Sequence, residues 1–183
     1  MPYRVHTVET APSPAGDMLA GIQKAFGFVP NMLGTMANSP PVLEAYQSTG
    51  ALFDKTSLSA TERQVVMLTT SAENGCEYCV GAHTALSAMQ KVPDDVVQAI
   101  RNDTPIADPK LEALRRFSAE VVTTRGYPSA PALETLIKIG YGEQQVLEII
   151  LGVGLKSIAN YINHIAKTQL DDAFAAVAWN SGN

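Results

Sequence analysis

Residues 58–86, LSATERQVVMLTTSAENGCEYCVGAHTAL, contain both cysteines of this 183-residue chain and one of its three histidines. Gly75 belongs to an Asn-Gly pair that is typical of a helix end, because glycine readily takes the left-handed conformation found there. A new helix is therefore expected to begin at Cys76. Positions three and four apart share one face of a helix, so Cys76, Cys79 and His83 should lie along one side of it.

This arrangement favours redox chemistry at the two sulfurs. The thiolate is the reactive form of cysteine, and a helix start favours it, so the pKa of Cys76 is expected to be lowered. His83 lies one turn beyond Cys79 and can accept its proton or, once charged, stabilise its thiolate. The spacing also allows a sulfenic acid on one sulfur to condense with the other, which gives a reversible disulfide.

Two simpler interpretations remain open. Zinc binding would need more ligands, and His6 and His164 are far away in sequence without ligand-like spacing, so neither a metal nor another cofactor is predicted. The cysteines could also be core residues that fall three apart by accident, since free cysteine is often buried. His164 is expected to be a packing or interface residue rather than a catalyst.

Composition narrows the class of protein and of partner. A hydrophobic content of 46% over 183 residues is sufficient for one folded domain with a real core. The formal net charge of −5 and the lack of a basic run argue against binding to nucleic acid or to an anionic membrane. The apolar runs are expected to be too short to span a bilayer, and the N-terminus lacks the apolar core of a signal peptide. These features predict a cytoplasmic protein, in which cysteines are normally thiols.

Residues 1–15 are predicted to form an extended arm. After it, apolar residues recur with the period of a helix, and in no stretch do apolar and polar residues alternate with the period of two that is typical of a strand. The chain is therefore predicted to be a single all-α domain. Ser59 and Glu62 predict a capping box at the third main helix. Gly152 and Gly154 should mark places where another helix packs closely against the longest one. The first two predicted helices cover residues 17–26 and 32–37. A third begins at residue 40 and has three to four turns, and a fourth runs from residue 59 to the turn before Cys76. The others cover residues 76–89, 94–100, 110–124, 130–139 and 144–167.

Residues 58–86 resemble the core of the AhpD-like, carboxymuconolactone decarboxylase superfamily. The segments FGFVPNM at 26–32 and EQQVLEIILGVG…NYINHIAKTQLDDAF between 143 and 174 are similar to its peroxidase-related members. The resemblance implies an all-α fold and a homo-oligomer (a dimer, trimer or hexamer) in which long helices are buried against a second subunit.

In alkylhydroperoxidase D members, the second motif cysteine attacks the peroxide, the first resolves the product to a disulfide, and a glutamate–histidine relay moves protons. The resemblance therefore implies that Cys79 is peroxidatic, Cys76 resolving and His83 the relay histidine. Gln64 stands where the relay glutamate belongs, and an amide can hold His83 or a water but cannot take up a proton. Glu62 is another acid in the same segment, on a different side of its helix.

Tyr78 lies between the cysteines, where alkylhydroperoxidase D has a histidine. Its hydroxyl could donate a hydrogen bond to a bound oxygen but shuttles protons poorly near pH 7. The decarboxylase branch of the superfamily acts without a dithiol and therefore fits this sequence less well.

The leading hypothesis is a thiol-dependent peroxidase, or a related disulfide oxidoreductase, in antioxidant defence. It would reduce a hydroperoxide and be recycled by a dithiol or lipoyl-type reductant. The alternative is a non-enzymatic redox-sensing or stress-response oligomer whose disulfide changes its shape or its binding to a partner. Catalytic turnover would distinguish the two.

Overall fold

The computed structural model describes residues 3–182, and within this range the chain is helical and contains no strand. This single all-helical domain confirms the predicted fold class, and the helix ends agree with the predicted ones to within about two residues. The first two residues of the predicted arm lie outside the described residues. The helices are α1 (Ala15–Phe26), α2 (Asn31–Met36), α3 (Pro40–Phe53), α4 (Ala60–Glu73), α5 (Glu77–Met89), α6 (Asp94–Arg101), α7 (Pro109–Thr123), α8 (Ala130–Lys138) and α9 (Glu143–Ala166), followed by a 3₁₀ helix (Asp172–Val177).

Helix α4 lies at the centre of the fold, where it packs against α5, α6, α7 and α9. Its start is fixed by the predicted capping box: the Ser59 hydroxyl accepts the Glu62 N–H at 3.2 Å, and the Glu62 carboxylate accepts the Ser59 N–H at 2.7 Å. These two contacts satisfy backbone donors that the first turn of a helix leaves unpaired. The middle of the helix is buried on several sides, through Val65, Val66, Leu68, Thr69 and Thr70.

The turn from α4 to α5 places the cysteines. Gly75 has φ +65°, the left-handed conformation that the sequence predicts at this helix end. Cys76 is the extended N-cap residue of α5, and its N–H donates to the Ser71 carbonyl at 2.9 Å. Cys79 and His83 follow on the buried side of α5, so the predicted dithiol helix is confirmed.

Helix α9 is the longest element and packs against α2, α3, α4, α5 and α7. A Cβ at Gly152 would lie 2.6 Å from the Phe53 ring and 2.9 Å from Val66, so the predicted close approach of another helix is confirmed there. At Gly154 no other described helix of this chain approaches closely, because no described atom lies within 4 Å of the Cβ position and the residue is exposed, so that prediction is not met within the chain.

The same helix corrects the prediction that every apolar run is too short for a membrane. By length and composition alone α9 could cross a bilayer, since it has 24 residues and an 18-residue window with a mean hydropathy of 1.2. However, it passes through the protein core and places Lys156, Asn160 and Asn163 in buried positions. These polar residues are part of the site described below.

Two segments outside the main helices cover the domain. The described part of the arm lies on α2, where the His6 N–H donates to the Gly34 carbonyl at 3.0 Å and the Asn38 amide donates to the Arg4 carbonyl at 2.7 Å. At the other end of the chain, the 3₁₀ helix packs against α5. The arm therefore covers the surface of its own domain.

The buried side chains form two clusters, and the cysteines lie in the smaller one. The larger cluster surrounds α4, α6, α7 and the first half of α9. The smaller one contains Cys76, Cys79 and Ala159 together with apolar residues of α1, α2 and α3. The sulfurs are thus enclosed between α5 and α9 on one side and the first three helices on the other.

Candidate active site

Cys76 and Cys79 are free thiols, buried at 1% and 0% exposure at the start of α5. The Cys76 S–H donates to Cys79, and this contact together with burial raises the pKa of Cys76. Burial alone would also raise the pKa of Cys79, but the hydrogen bond from Cys76, the nearby Lys156 cation and the Asn163 amide outweigh it and lower that pKa. The predicted lowering at Cys76 is therefore wrong, because its neighbour Cys79 takes the negative charge.

Two asparagines of α9 stabilise that charge. The Asn163 Nδ2 lies 3.2 Å from Cys79 Sγ and 3.9 Å from Cys76 Sγ. Asn160 also favours ionisation of Cys79, and its amide is oriented by Asn74 Nδ2, which donates to its Oδ1 at 2.9 Å, and by Ser71 Oγ, which lies 3.5 Å from its Nδ2. Hydrogen bonds to the ionised form favour ionisation, so both amides support a thiolate at Cys79.

Lys156 is the second charged group of the site, and it is only 1% exposed on α9. Its Nζ lies 2.9 Å from His83 Nε2, and it is close enough to Cys79 and Tyr46 to interact with both electrostatically. Burial opposes the charge, but the Cys79 thiolate and the Tyr46 hydroxyl outweigh burial and raise the pKa of Lys156. A buried ammonium ion is costly unless it is paired, so Lys156 and Cys79 form a buried ion pair.

His83 is neutral in this setting. Burial and the adjacent Lys156 cation lower the pKa of His83 well below its ordinary value. Because an ammonium group only donates, Nε2 accepts from Lys156, and Nδ1 therefore carries the proton and donates to Gln64 Oε1 at 2.9 Å. The prediction that a charged His83 stabilises the thiolate is wrong, since Lys156 holds that charge, contacts His83 and lies close to Cys79.

Gln64 fixes the orientation of the histidine. It is 5% exposed, its Oε1 accepts from His83, and its Nε2 donates to Gln90 Oε1 at 3.1 Å. The predicted hydrogen bond between the Gln64 amide and His83 is thereby confirmed. A continuous chain of hydrogen bonds runs from Lys156, which lies near Cys79, through His83 and Gln64 to Gln90.

Glu62 lies outside this chain. Its carboxylate accepts from Ser59 in the capping box and from the Tyr141 hydroxyl at 2.8 Å, and it forms an ion pair with Lys110 at 3.4 Å. Burial opposes the charge, but these partners outweigh it and lower the pKa of Glu62. The structure therefore places Glu62 at the start of α4 rather than beside the imidazole.

The Tyr78 hydroxyl is also occupied elsewhere. It donates to Asp171 Oδ2 at 2.6 Å and accepts the Met32 N–H at 3.2 Å. Burial and the contact with Asp171 raise the pKa of Tyr78. The hydroxyl has one proton, and it is used in the hydrogen bond to Asp171 that links α5 to the C-terminal tail. The predicted donation to a bound oxygen would require this hydrogen bond to break.

Two cavities border the site, and none of the described residues borders both. The larger, which we name the apolar cavity, has a volume of about 530 Å³ and reaches His83, Gln64, Gln90 and Tyr46; its apolar lining includes Ile22, Phe26, Leu33, Phe53, Met67, Leu86, Met89 and Leu155. The smaller, which we name the Cys76 cavity, has a volume of about 210 Å³ and is bordered by Gly75, Cys76, Glu77, Tyr78, Asn163, His164, Lys167 and Thr168. His164, predicted to be a packing or interface residue, is an exposed residue at this second cavity.

Sequence reasoning missed Lys156, Asn160 and Asn163. A signal for Lys156 was present, because it is the only Asp, Glu, Lys or Arg between residue 149 and the end of α9 at residue 166. Within residues 3–182, no three His, Cys, Asp or Glu side chains come together in a way that could hold a metal ion.

Comparison with known proteins supports the same fold. Residues 40–120 match the sequence model of the Carboxymuconolactone decarboxylase family. An uncharacterized peroxidase-related protein from Ralstonia eutropha JMP134, described as an alkylhydroperoxidase AhpD core, shares 26% identity and superposes with a TM-score of 0.83 over 94% of this chain and 93% of its own. No curated protein sequence matches the chain.

Two more distant structures share the fold, and their names indicate different activities. A peroxidase-related protein from Silicibacter sp. TM1040 is 18% identical, with a TM-score of 0.80 over 94% of this chain and 93% of its own. The debrominase Bmp8, solved in complex with 2,3,4-tribromopyrrole, is also 18% identical, with a TM-score of 0.75 over 90% of this chain and 88% of its own. At this identity the likeness concerns the fold alone.

Proposed function

Because residues 40–120 match the Carboxymuconolactone decarboxylase family and the whole structure resembles an AhpD-like peroxidase-related protein, we propose that this chain is a thiol-dependent peroxidase or a related disulfide oxidoreductase in antioxidant defence. The observation that carries the proposal is the pair of buried free thiols with Asn163 Nδ2 3.2 Å from Cys79 Sγ and the buried Lys156 close by, a setting that lowers the pKa of Cys79 and raises that of Cys76. The thiolate is the nucleophilic form of cysteine, and a second thiol beside it allows a disulfide to close. The peroxidase-related relative from Ralstonia eutropha supports this choice.

In the proposed reaction, the Cys79 thiolate attacks the outer oxygen of a hydroperoxide. The O–O bond breaks, Cys79 becomes a sulfenic acid, and the leaving alkoxide takes a proton from the Lys156 ammonium group to become an alcohol. The Cys76 thiol then attacks the sulfenic sulfur, forming the disulfide and releasing water. His83 acts as a positioning residue, because its Nε2 holds the Lys156 ammonium group in place.

Regeneration requires an external two-electron donor, and we propose a dithiol or a lipoyl-type carrier in a cytoplasmic setting. We also propose that the protein is a homo-oligomer (a dimer, trimer or hexamer). Exposed apolar side chains that are separated by three, four and eight residues on α9 support an interface there, because these separations place them on one helix face. They are Leu147, Ile150, Ile158, Tyr161 and Ile165.

The proposal is tested by treating the reduced protein with hydrogen peroxide or cumene hydroperoxide and locating the oxidised cysteines by mass spectrometry. A disulfide between Cys76 and Cys79 is expected. The Cys76→Ser variant should instead retain a sulfenic acid at Cys79 that dimedone traps, and Cys79→Ser should consume no peroxide. The lack of any disulfide at every dose would refute the proposal.

Turnover distinguishes the enzyme from the redox-sensing alternative. With dithiothreitol or dihydrolipoamide in excess, an enzyme consumes many equivalents of hydroperoxide per chain. A protein that oxidises once and then stops, with every dithiol supplied, acts as a sensor and not as a peroxidase.

A further inference from the structure

The Cys76 cavity gives access to only one of the two sulfurs. Cys76 borders this cavity of about 210 Å³, whereas Cys79 borders neither it nor the apolar cavity. The chain of hydrogen bonds that begins at Lys156, near Cys79, ends at the apolar cavity, through His83, Gln64 and Gln90. The two ends of the dithiol site therefore have separate approaches.

The Cys76 cavity also contains buried polar atoms without partners. Asn163 is 4% exposed, and its Nδ2 donates to Cys79 Sγ, but its Oδ1 has no hydrogen-bond partner among the described residues. The buried Oγ1 of Thr168 is likewise unpartnered within residues 3–182. An unpaired buried polar atom is costly, so these two residues mark the border of the Cys76 cavity as a place where hydrogen bonding is incomplete.

We propose that the Cys76 cavity is the binding site for the reductant, an aliphatic dithiol on a narrow chain, and that its first thiol attacks Cys76 Sγ of the oxidised protein. The inference rests on the proposed dithiol chemistry. It adds a separate binding site for the reductant and states which sulfur of the disulfide the reductant attacks first. Hydroperoxide and reductant would then approach the dithiol from different cavities.

The exchange proceeds in two steps. The attacking thiolate forms a mixed disulfide with Cys76, the Cys76–Cys79 bond breaks, and its electron pair remains on Cys79 as the thiolate. The second thiol of the reductant, once deprotonated, attacks the reductant's own sulfur in the mixed disulfide. That step releases the reductant as a cyclic disulfide, and the Cys76 thiolate takes up a proton. The protein gains two electrons and the dithiol loses two.

The surroundings of Cys79 favour this direction. A disulfide breaks most readily toward the sulfur that is more stable as a thiolate. Lys156 Nζ and Asn163 Nδ2 both stabilise a thiolate at Cys79, whereas the thiol at Cys76 acts as a donor to it. Attack at Cys76 therefore expels the better leaving group and restores the resting ion pair.

The size of the cavity limits which reductants fit. Its volume of about 210 Å³ equals the share of roughly seven water molecules in the liquid, at about 30 Å³ each. A slender dithiol or the end of a flexible arm fits this space. A folded thiol protein would have to bring its sulfur in on a protruding segment.

The position of attack can be read directly. The disulfide is prepared with diamide, so that its formation does not depend on peroxide, and is exposed to 2-mercaptoethanol, a monothiol that cannot form the cyclic product. N-ethylmaleimide then captures the released thiol. Mass spectrometry is expected to find 2-mercaptoethanol on Cys76 and maleimide on Cys79. The reverse pattern would overturn the inference.

The position of binding is tested by adding bulk to each cavity separately. His164 is exposed at the Cys76 cavity, so His164→Trp adds volume there without crowding the core. Gly50 borders the apolar cavity, and no described atom lies within 4 Å of its Cβ position, so Gly50→Leu is the matched control. His164→Trp should slow reduction of the disulfide by dithiothreitol about tenfold and leave oxidation by hydrogen peroxide unchanged. Gly50→Leu should leave the reduction unchanged.

Other outcomes separate the two proposals. Equal reduction rates in His164→Trp and the wild type, or equal slowing by both variants, would overturn the inference while leaving the peroxidase proposal intact. A disulfide that forms with diamide but not with any hydroperoxide would refute the peroxidase proposal without contradicting the proposed reductant site. If diamide forms no disulfide, both fall.

Discussion

Helices α5 and α9 form the two sides of the site, and they contribute different things to it. Helix α5 supplies the two sulfurs and the imidazole at the regular spacing 76, 79 and 83. Helix α9 supplies the ammonium group and the two amides, at positions 156, 160 and 163, from a stretch that is otherwise mostly apolar. The reacting atoms are thus identified by a local motif, whereas their protonation states depend on a helix about 80 residues further along the chain.

The largest effect is expected when the charge on α9 is removed. Lys156→Met keeps much of the volume and the packing but removes the cation that stabilises the Cys79 thiolate. The pKa of Cys79 should rise, and the rate of its oxidation by hydroperoxide at pH 7 should fall by about 10²–10³, as when a preorganised charge-stabilising donor is lost. Stopped-flow kinetics and the pH profile of iodoacetamide alkylation would measure the two changes.

Lys156→Arg is the control for this prediction, because it keeps the charge but changes the shape of the donor. It should retain a lowered pKa at Cys79 even if the rate falls. If Lys156→Met folds and shows an unaltered alkylation profile, then α5 alone sets the thiolate and the contrast between the two helices fails.

The next largest effect is expected from Gly152→Ala, which tests whether the close packing of α9 holds Lys156 in place. Gly152→Ala puts a Cβ 2.6 Å from the Phe53 ring, so α9 must shift or the ring must move. Overpacking of this kind should destabilise the fold by about 1–3 kcal/mol and raise the pKa of Cys79. Urea denaturation and the alkylation profile would measure these changes.

The neighbouring glycine provides the matched comparison. Gly154→Ala meets no described atom within 4 Å, so it should stabilise the helix by up to about 1 kcal/mol and leave the pKa of Cys79 unaltered. Similar stabilities for the two alanine variants would contradict the close contact at Gly152.

The pH dependence of stability is the next prediction, and both helices contribute to it. The pKa of Cys79 is lowered in the folded state, so between that lowered pKa and the ordinary thiol pKa of about 8.5 the unfolded chain binds one proton more. The pKa of His83 is lowered too, so below about 6.5 the unfolded chain again binds more protons. The stability of the reduced protein should therefore rise with pH from about 5 to 8.5, by at most about 1.4 kcal/mol per pH unit for each group.

Urea denaturation in the presence of a phosphine reductant measures this slope. In the Cys79→Ser variant, most of the increase in stability with pH should disappear between about pH 7 and 8.5, where His83 no longer titrates in the folded or the unfolded state. A slope in that window that the serine variant retains would mean that the folded protein contains a thiol, not a thiolate, at Cys79.

Prediction from sequence succeeded where the interaction is local. The capping box at Ser59, the break at Gly75 and the shared face of the motif residues depend on a few consecutive residues, and the structure confirms them. The pKa of Cys76 was predicted to be lowered by the helix start but is raised, because Lys156 and Asn163, on another element, favour the thiolate at the neighbouring Cys79 instead.

The remaining misses also involve distant contacts. Tyr78 was considered as a donor to a bound oxygen, but its partner Asp171 lies 93 positions away in the chain. Gly152 and Gly154 look alike in sequence, yet only the first faces α3 and α4. Periodicity could have separated these two glycines, since residues two apart on a helix point in different directions.

The smallest of the expected effects concerns Gln64, which stands where alkylhydroperoxidase D members have the relay glutamate. Gln64→Glu places a carboxylate against the Nδ1–H of His83 and should raise the pKa of His83. His83 could then carry a proton toward the leaving group, and oxidation of Cys79 should become faster, by up to about tenfold. Stopped-flow oxidation and the pH profile of the rate would measure it.

Two features of the structure limit this gain. The new carboxylate loses the amide that donates to Gln90 and is buried, so it can stay protonated or destabilise the fold, which thermal melting would reveal. It also adds a negative charge near Lys156, in competition with the Cys79 thiolate. Gln64→Leu, which removes the hydrogen bond without adding charge, separates the loss of orientation from the gain of a proton acceptor. If folded Gln64→Glu oxidises at the wild-type rate, Lys156 already supplies what the relay glutamate would add, and the charge on α9 alone accounts for the reactivity of α5.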